Sequence, residues 1–216
     1  KYNDYAIAYV HQSQTLDDQV RNFSRNLTLE ESEQEVKKNT EMLHQAISYF
    51  KEKKKTVIVI GKSYGAFIVQ DYLATKKPMA DKYYIIAGRL KVNKAMTDQH
   101  LRAFNGGFAK DGLTYIPQDE TKDRSQESEQ YLNEFAKKQM LKAAYGSTNY
   151  IDLLENVDLS NVTYFYGTAD QNVGRLTEPE EAFLISKGVK VFKYDANHSG
   201  IFYAFIDRLT DGSLTF

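Results

Sequence analysis

Thr56-Val57-Ile58-Val59-Ile60-Gly61-Lys62-Ser63-Tyr64-Gly65-Ala66-Phe67 is the stretch that decides the fold. β-Branched residues dominate Thr56 to Ile60 and predict a strand. Ala66 to Thr75 reads as a helix. The two are joined by Gly61-Lys62-Ser63-Tyr64-Gly65, a Gly-x-Ser-x-Gly turn. A strand that becomes a helix within so few residues holds the central serine at strained backbone angles. Small residues on either side, Gly61 and Gly65, let neighbouring backbone pass close by. The turn also leaves the Tyr64 backbone N–H at a helix start, where it can stabilise a developing negative oxygen. The same glycines also suit a plain strand-to-helix turn, so the argument needs partners elsewhere in the chain.

Working outward, Asp4 to Val10 is a short apolar run suited to a strand buried on both faces. A helical pattern runs from about Thr28 to Lys53, with apolar positions Val36, Met42, Leu43, Ile47 and Phe50. Further strands are predicted at Tyr83–Ala87, Val162–Tyr166 and Val189–Tyr194. Between the last two lies a helix opened by Thr177, with Glu178, Pro179 and Glu180 in its first turn. A closing helix covers about Gly200 to Leu209. Strands alternating with helices predict an α/β fold, a mostly parallel sheet flanked by helices. Residues 91–159 break the rhythm with aromatic clusters and a charged stretch. They read as a largely helical cap inserted into a core made of 1–90 and 160–216.

Composition narrows the partners. The 216 residues carry 28 basic and 29 acidic side chains, a net charge of −1. That balance gives no reason to expect nucleic acid or an anionic membrane surface. No apolar run approaches the roughly 20 residues a membrane span needs. There is no cysteine, which excludes disulfides and thiolate metal sites. No paired His or carboxylate spacing points to a metal, and no cofactor is expected. The expectation is a soluble chain, with the cytoplasm as first assignment and the compartment and oligomeric state otherwise open.

A nucleophilic serine needs a base and a group to orient that base. Of the four histidines, His11, His44 and His100 read as surface or packing residues. His198 lies in Asp195-Ala196-Asn197-His198-Ser199-Gly200, just past the last strand, and sites of α/β folds form beyond the carboxyl ends of their strands. Asp170 follows Gly167-Thr168-Ala169, just past the strand that ends at Tyr166. Ser63, Asp170 and His198 thus occur in that order, each after a predicted strand.

With these motifs in place the sequence resembles the α/β-hydrolase family over nearly its whole length. Gly61–Gly65 is similar to the nucleophile elbow, Tyr166–Val173 to the strand end that delivers the acid, and Asn197–Gly200 to the histidine loop. The resemblance implies a serine hydrolase acting through an acyl-enzyme on a small ester or amide. An esterase or lipase-like activity comes first. An aminopeptidase of the proline-iminopeptidase kind, or a ligand-binding protein without catalysis, are the alternatives. Lys62 stands where many members carry His and reads as solvated or locally paired.

The family's His- and Gly-rich loop, which supplies a second oxyanion donor, is missing. Either the chain begins inside the domain, with its first strands absent, or the run ending at Val10 is the third strand. In the second case Gln12 offers that donor.

Overall fold

A computed structural model describes residues 5–16 and 26–214; Asp4 lies outside them. In chain order the elements begin with α1 (Leu29–Glu52), β1 (Ile58–Lys62), α2 (Tyr64–Thr75), β2 (Lys82–Ile86) and α3 (Lys94–Leu101). A two-stranded ribbon follows, β3 (Gly107–Phe108) with β4 (Tyr115–Ile116), then α4 (Glu129–Gly146) and α5 (Tyr150–Leu153). The chain returns to the sheet with β5 (Val162–Gly167), α6 (Glu178–Ser186), β6 (Lys190–Tyr194) and α7 (Gly200–Thr210).

The main sheet has the order β1-β2-β5-β6, and every pairing in it is parallel. Parallel neighbours need crossovers, and α2, the long insertion and α6 supply them. Alternation along the strands sorts the core into two faces. Val59, Tyr83, Ile85, Tyr164 and Tyr166 pack with α2 and α6 and with Leu43 and Ile47 of α1. Tyr84, Ile86 and Phe165 pack with Ile201 and Phe205 of α7. The sheet is therefore flanked by helices on both sides, as expected, but unequally. α7 lies over β2 and β5, which leaves Ile60 of β1 46% exposed.

Helix starts follow local chemistry. Thr28 Oγ1 accepts from the Glu31 N–H at 3.1 Å, and Glu31 accepts from the Thr28 N–H at 2.8 Å, a reciprocal capping box for α1. Thr177 and Glu180 form the same box on α6. No helix among the described residues is long and apolar enough to cross a membrane.

One expected strand is absent. Residues 5–10 form no strand, and their large apolar side chains are exposed, Ile7 at 78% and Tyr9 at 83%. β-Branched and aromatic residues favour a pleated surface only where a neighbouring strand and a packed face receive them. No described strand forms a ladder with this run. What docks is the next turn, Ser13–Thr15, where Ser13 donates its N–H to Asn39 Oδ1 at 2.7 Å and its hydroxyl to Glu35 Oε2 at 2.6 Å on α1.

The segment between β2 and β5 contains α3, the ribbon, α4 and α5; the ribbon was not foreseen. Glu180 ties its beginning to the core. Its carboxylate accepts from the N–H groups of Leu90 and Lys91, both at 2.9 Å, from the Thr177 N–H at 2.8 Å, and from Arg89 Nη2 at 3.3 Å. Arg89 and Glu180 are both buried. Removing one partner of a buried pair strands the other charge. Glu180→Ala is therefore expected to cost about 3–5 kcal/mol, read as a lower midpoint in urea unfolding.

Candidate active site

Ser63 sits between β1 and α2 with φ 55° and ψ −116°, a left-handed conformation rare for a residue bearing a side chain. Its N–H donates to the Ile86 carbonyl at 2.9 Å, and its carbonyl accepts from the Ala66 N–H at 2.9 Å. The turn is thus held to the end of β2 on one side and to α2 on the other. Gly61 is sterically required, since a Cβ there would lie 2.4 Å from the Gly65 carbonyl oxygen. Gly65 differs from the sequence reading: a Cβ on it would meet nothing within 4 Å. The close approach uses the Gly65 backbone, while its side-chain direction is open.

Asp170 comes from the loop after β5 and is 1% exposed. Its Oδ1 accepts from the N–H groups of Asn172 at 2.8 Å and Val173 at 3.1 Å, and its Oδ2 lies 2.7 Å from His198 Nδ1. His198 Nε2 lies 2.9 Å from Ser63 Oγ. A carboxylate only accepts, so this contact places the imidazole proton on Nδ1 and leaves Nε2 to accept from the serine hydroxyl. The three side chains form one continuous hydrogen-bonded chain.

The histidine loop is set by two strand ends. A Cβ on Gly167 would fall 2.2 Å from the Ala196 carbonyl oxygen, so the loop after β6 can lie directly on the end of β5. The Ala169 N–H donates to that same carbonyl at 3.1 Å. Asn197 Oδ1 then accepts from the N–H groups of Ser199 at 3.2 Å and Gly200 at 2.8 Å, which starts α7 immediately after His198.

Beside Ser63 and His198 opens a cavity of about 450 Å³. Phe67, Val92, Met96 and Tyr145 give it apolar walls, and His100, Asn105 and Lys142 come from the inserted segment. As the first residue of α2, Tyr64 has an N–H with no intrahelical acceptor. Tyr64 also lines the cavity. Gln12 is not among the lining residues. It precedes the Ser13–Thr15 turn, and its side chain accepts from Gln14. Lys62 places its ammonium 4.3 Å from the centre of the Phe202 ring, a local pairing of the expected kind.

His11 is exposed and His44 lies against Tyr72, both away from this chemistry. His100 is packed as expected, at 2% exposed, yet it also lines the cavity. Lys142 and Asn105 escaped the sequence reading. Lys142 Nζ donates to Asn105 Oδ1 at 3.0 Å and to Gln139 Oε1 at 3.3 Å. Burial lowers its pKa, with the neighbouring Lys138 charge acting the same way. Among the described residues no three His, Asp or Glu side chains converge as a metal site would require.

Compared with solved structures, the chain is similar to an alpha/beta hydrolase enzyme from a Medee basin deep-sea metagenome library, known from its crystal structure. The identity is 15%, the match covers 82% of this chain and 71% of that one, and the TM-score is 0.49. No protein-family model matches the sequence, and no curated protein does.

Two outcomes are expected. Gly65→Ala should stabilise the chain by about 0.5–1 kcal/mol, because alanine loses less backbone entropy in a helix. Gly61→Ala should destabilise it by about 1–3 kcal/mol or more through overpacking; thermal melts of the pair read the contrast. The second concerns pH. Burial, and then the nearby Lys142 charge, push the His100 pKa from 6.5 down to about 4. Unfolded chain therefore takes up a proton that folded chain refuses. Stability should be full above about pH 6.5 and fall as pH drops towards 4, and urea midpoints across that window should slope less in His100→Gln.

Proposed function

We propose that this chain is a serine hydrolase of the α/β-hydrolase type, acting on small esters in the manner of a carboxylesterase or lipase. The observation that carries this reading is the hydrogen-bonded chain from Asp170 through His198 to Ser63, ending on a strained strand-to-helix turn beside a cavity. In this reading His198 Nε2 takes the Ser63 proton as the hydroxyl oxygen attacks the ester carbonyl. The negative charge moves to the carbonyl oxygen, where the Tyr64 N–H donates to it. His198 then returns the proton to the departing alcohol, leaving an acyl group on Ser63. Water attacks that acyl-enzyme by the same route, with His198 again as base. Asp170, itself held by two backbone N–H groups, keeps His198 in the productive tautomer.

The cavity's chemistry favours an ester over a terminal peptide. A free α-amine is best received by an acid, and among the described residues no Asp or Glu lines the cavity. The apolar walls of Phe67, Val92, Met96 and Tyr145 suit an aliphatic acyl or alcohol group.

The test is covalent labelling with a fluorophosphonate together with hydrolysis of a p-nitrophenyl ester. The expected results are a label on Ser63, loss of turnover in Ser63→Ala, and a fall of about 10³–10⁴-fold in kcat for Asp170→Asn. An unlabelled Ser63 in folded protein, or equal turnover by the wild type and Ser63→Ala, refutes the reading.

A further inference from the structure

Lys142 is placed as a ligand-facing cation without a counter-charge. Among the described residues it is the one lysine or arginine that lines the cavity, and no described acid lines it. Its two hydrogen bonds go to neutral amide oxygens, those of Asn105 and Gln139. Among the described residues it makes no ion pair. An ammonium carries three donors, so these two contacts leave one unassigned. His100, on the neighbouring helix α3, shares the Asn105 Oδ1 contact at 3.3 Å. A partly buried cation in an apolar-walled cleft is costly unless an anion joins it. The chain supplies many acids, but not here: Glu134, also on α4, pairs with Lys138 instead.

We propose that the cavity takes an ester bearing a carboxylate, with Lys142 receiving that carboxylate while the ester carbonyl lies at Ser63. This rests on the hydrolase reading of the same cavity and deepens it, by naming the substrate class as half-esters of short dicarboxylic acids or esters of similar shape. Asn105 and Gln139 hold the ammonium in place through their amide oxygens. The cavity's apolar walls, Phe67, Val92, Met96 and Tyr145, receive the linking methylenes. A neutral diester fills the same volume but leaves the ammonium without its anion. The preference is therefore for charge rather than for size.

The test separates the subsite from the chemistry. The Ser63→Ala chain is titrated calorimetrically with the monomethyl esters of succinate, glutarate and adipate, and with the corresponding dimethyl esters. At least one half-ester is expected to bind about tenfold or more tightly than its diester, as a charge-assisted hydrogen bond in a cleft provides. Lys142→Gln on that background should erase the difference, and Lys142→Arg should recover part of it. Equal binding of half-ester and diester overturns the proposal, as does a preference that survives Lys142→Gln. Melting curves accompany each variant. Should Lys142→Gln unfold, the half-ester to diester ratio in the Ser63→Ala chain and in Lys142→Arg still decides. No step in this titration requires turnover. A chain that binds the half-ester but fails to label with fluorophosphonate keeps the anion subsite and loses the hydrolase reading; one that labels without a charge preference does the reverse.

Discussion

The turn from β1 into α2 must be completed within one residue, and the remainder of the structure is arranged around that constraint. It requires the Gly65 carbonyl to sit where a side chain on Gly61 would be, and it forces Ser63 to a positive φ. Such a conformation costs about 1–3 kcal/mol. The helix that follows more than offsets it, since Phe67, Val69, Tyr72 and Leu73 are buried against the sheet and a fully buried side chain of this size contributes about 1.5–3 kcal/mol. Strain of this size persists because the hydrogen bond from Ser63 to Ile86 ties the turn to the neighbouring strand.

A parallel sheet then gathers the other groups without further devices. Strands that run the same way end on the same side, so the loops after β5 and β6 meet beside the turn after β1. Close backbone contact at Gly167 sets the spacing between two of these loops. Asp170 is immobilised by backbone donors before it touches His198. Each group is positioned by rigid backbone rather than by long flexible side chains, so little conformational entropy remains in the arrangement.

Much of this was legible in the sequence because it is local. The elbow, the capping residues Thr28 and Thr177, and the loops carrying Asp170 and His198 each declare themselves within a few residues. What needed the structure was set by distant partners. β1 runs two residues beyond the expected Ile60 because Gly61 and Lys62 pair with Ile85 and Ile86, a register that β-propensity does not encode. The run up to Val10 has strand composition but no described strand beside it, and composition alone does not form a ladder. Lys142 and Asn105 lie 37 residues apart, and nothing in the periodicity of α4 marks which of its lysines faces a cavity. Gln12 does not line the cavity, and its side chain accepts from Gln14 within its own turn.

The two faces of the sheet are covered very differently, and the difference reaches the candidate site. One is sealed by several elements, whereas among the described residues the other is covered by α7, chiefly through Ile201 and Phe205, and by Leu214 just past it. The turn that launches α7 is the one that carries His198. Segments of a folded chain open with their own free energies, and those with fewer buried contacts open first. The placement of the His198 imidazole against Ser63 therefore depends on how α7 docks on its face of the sheet.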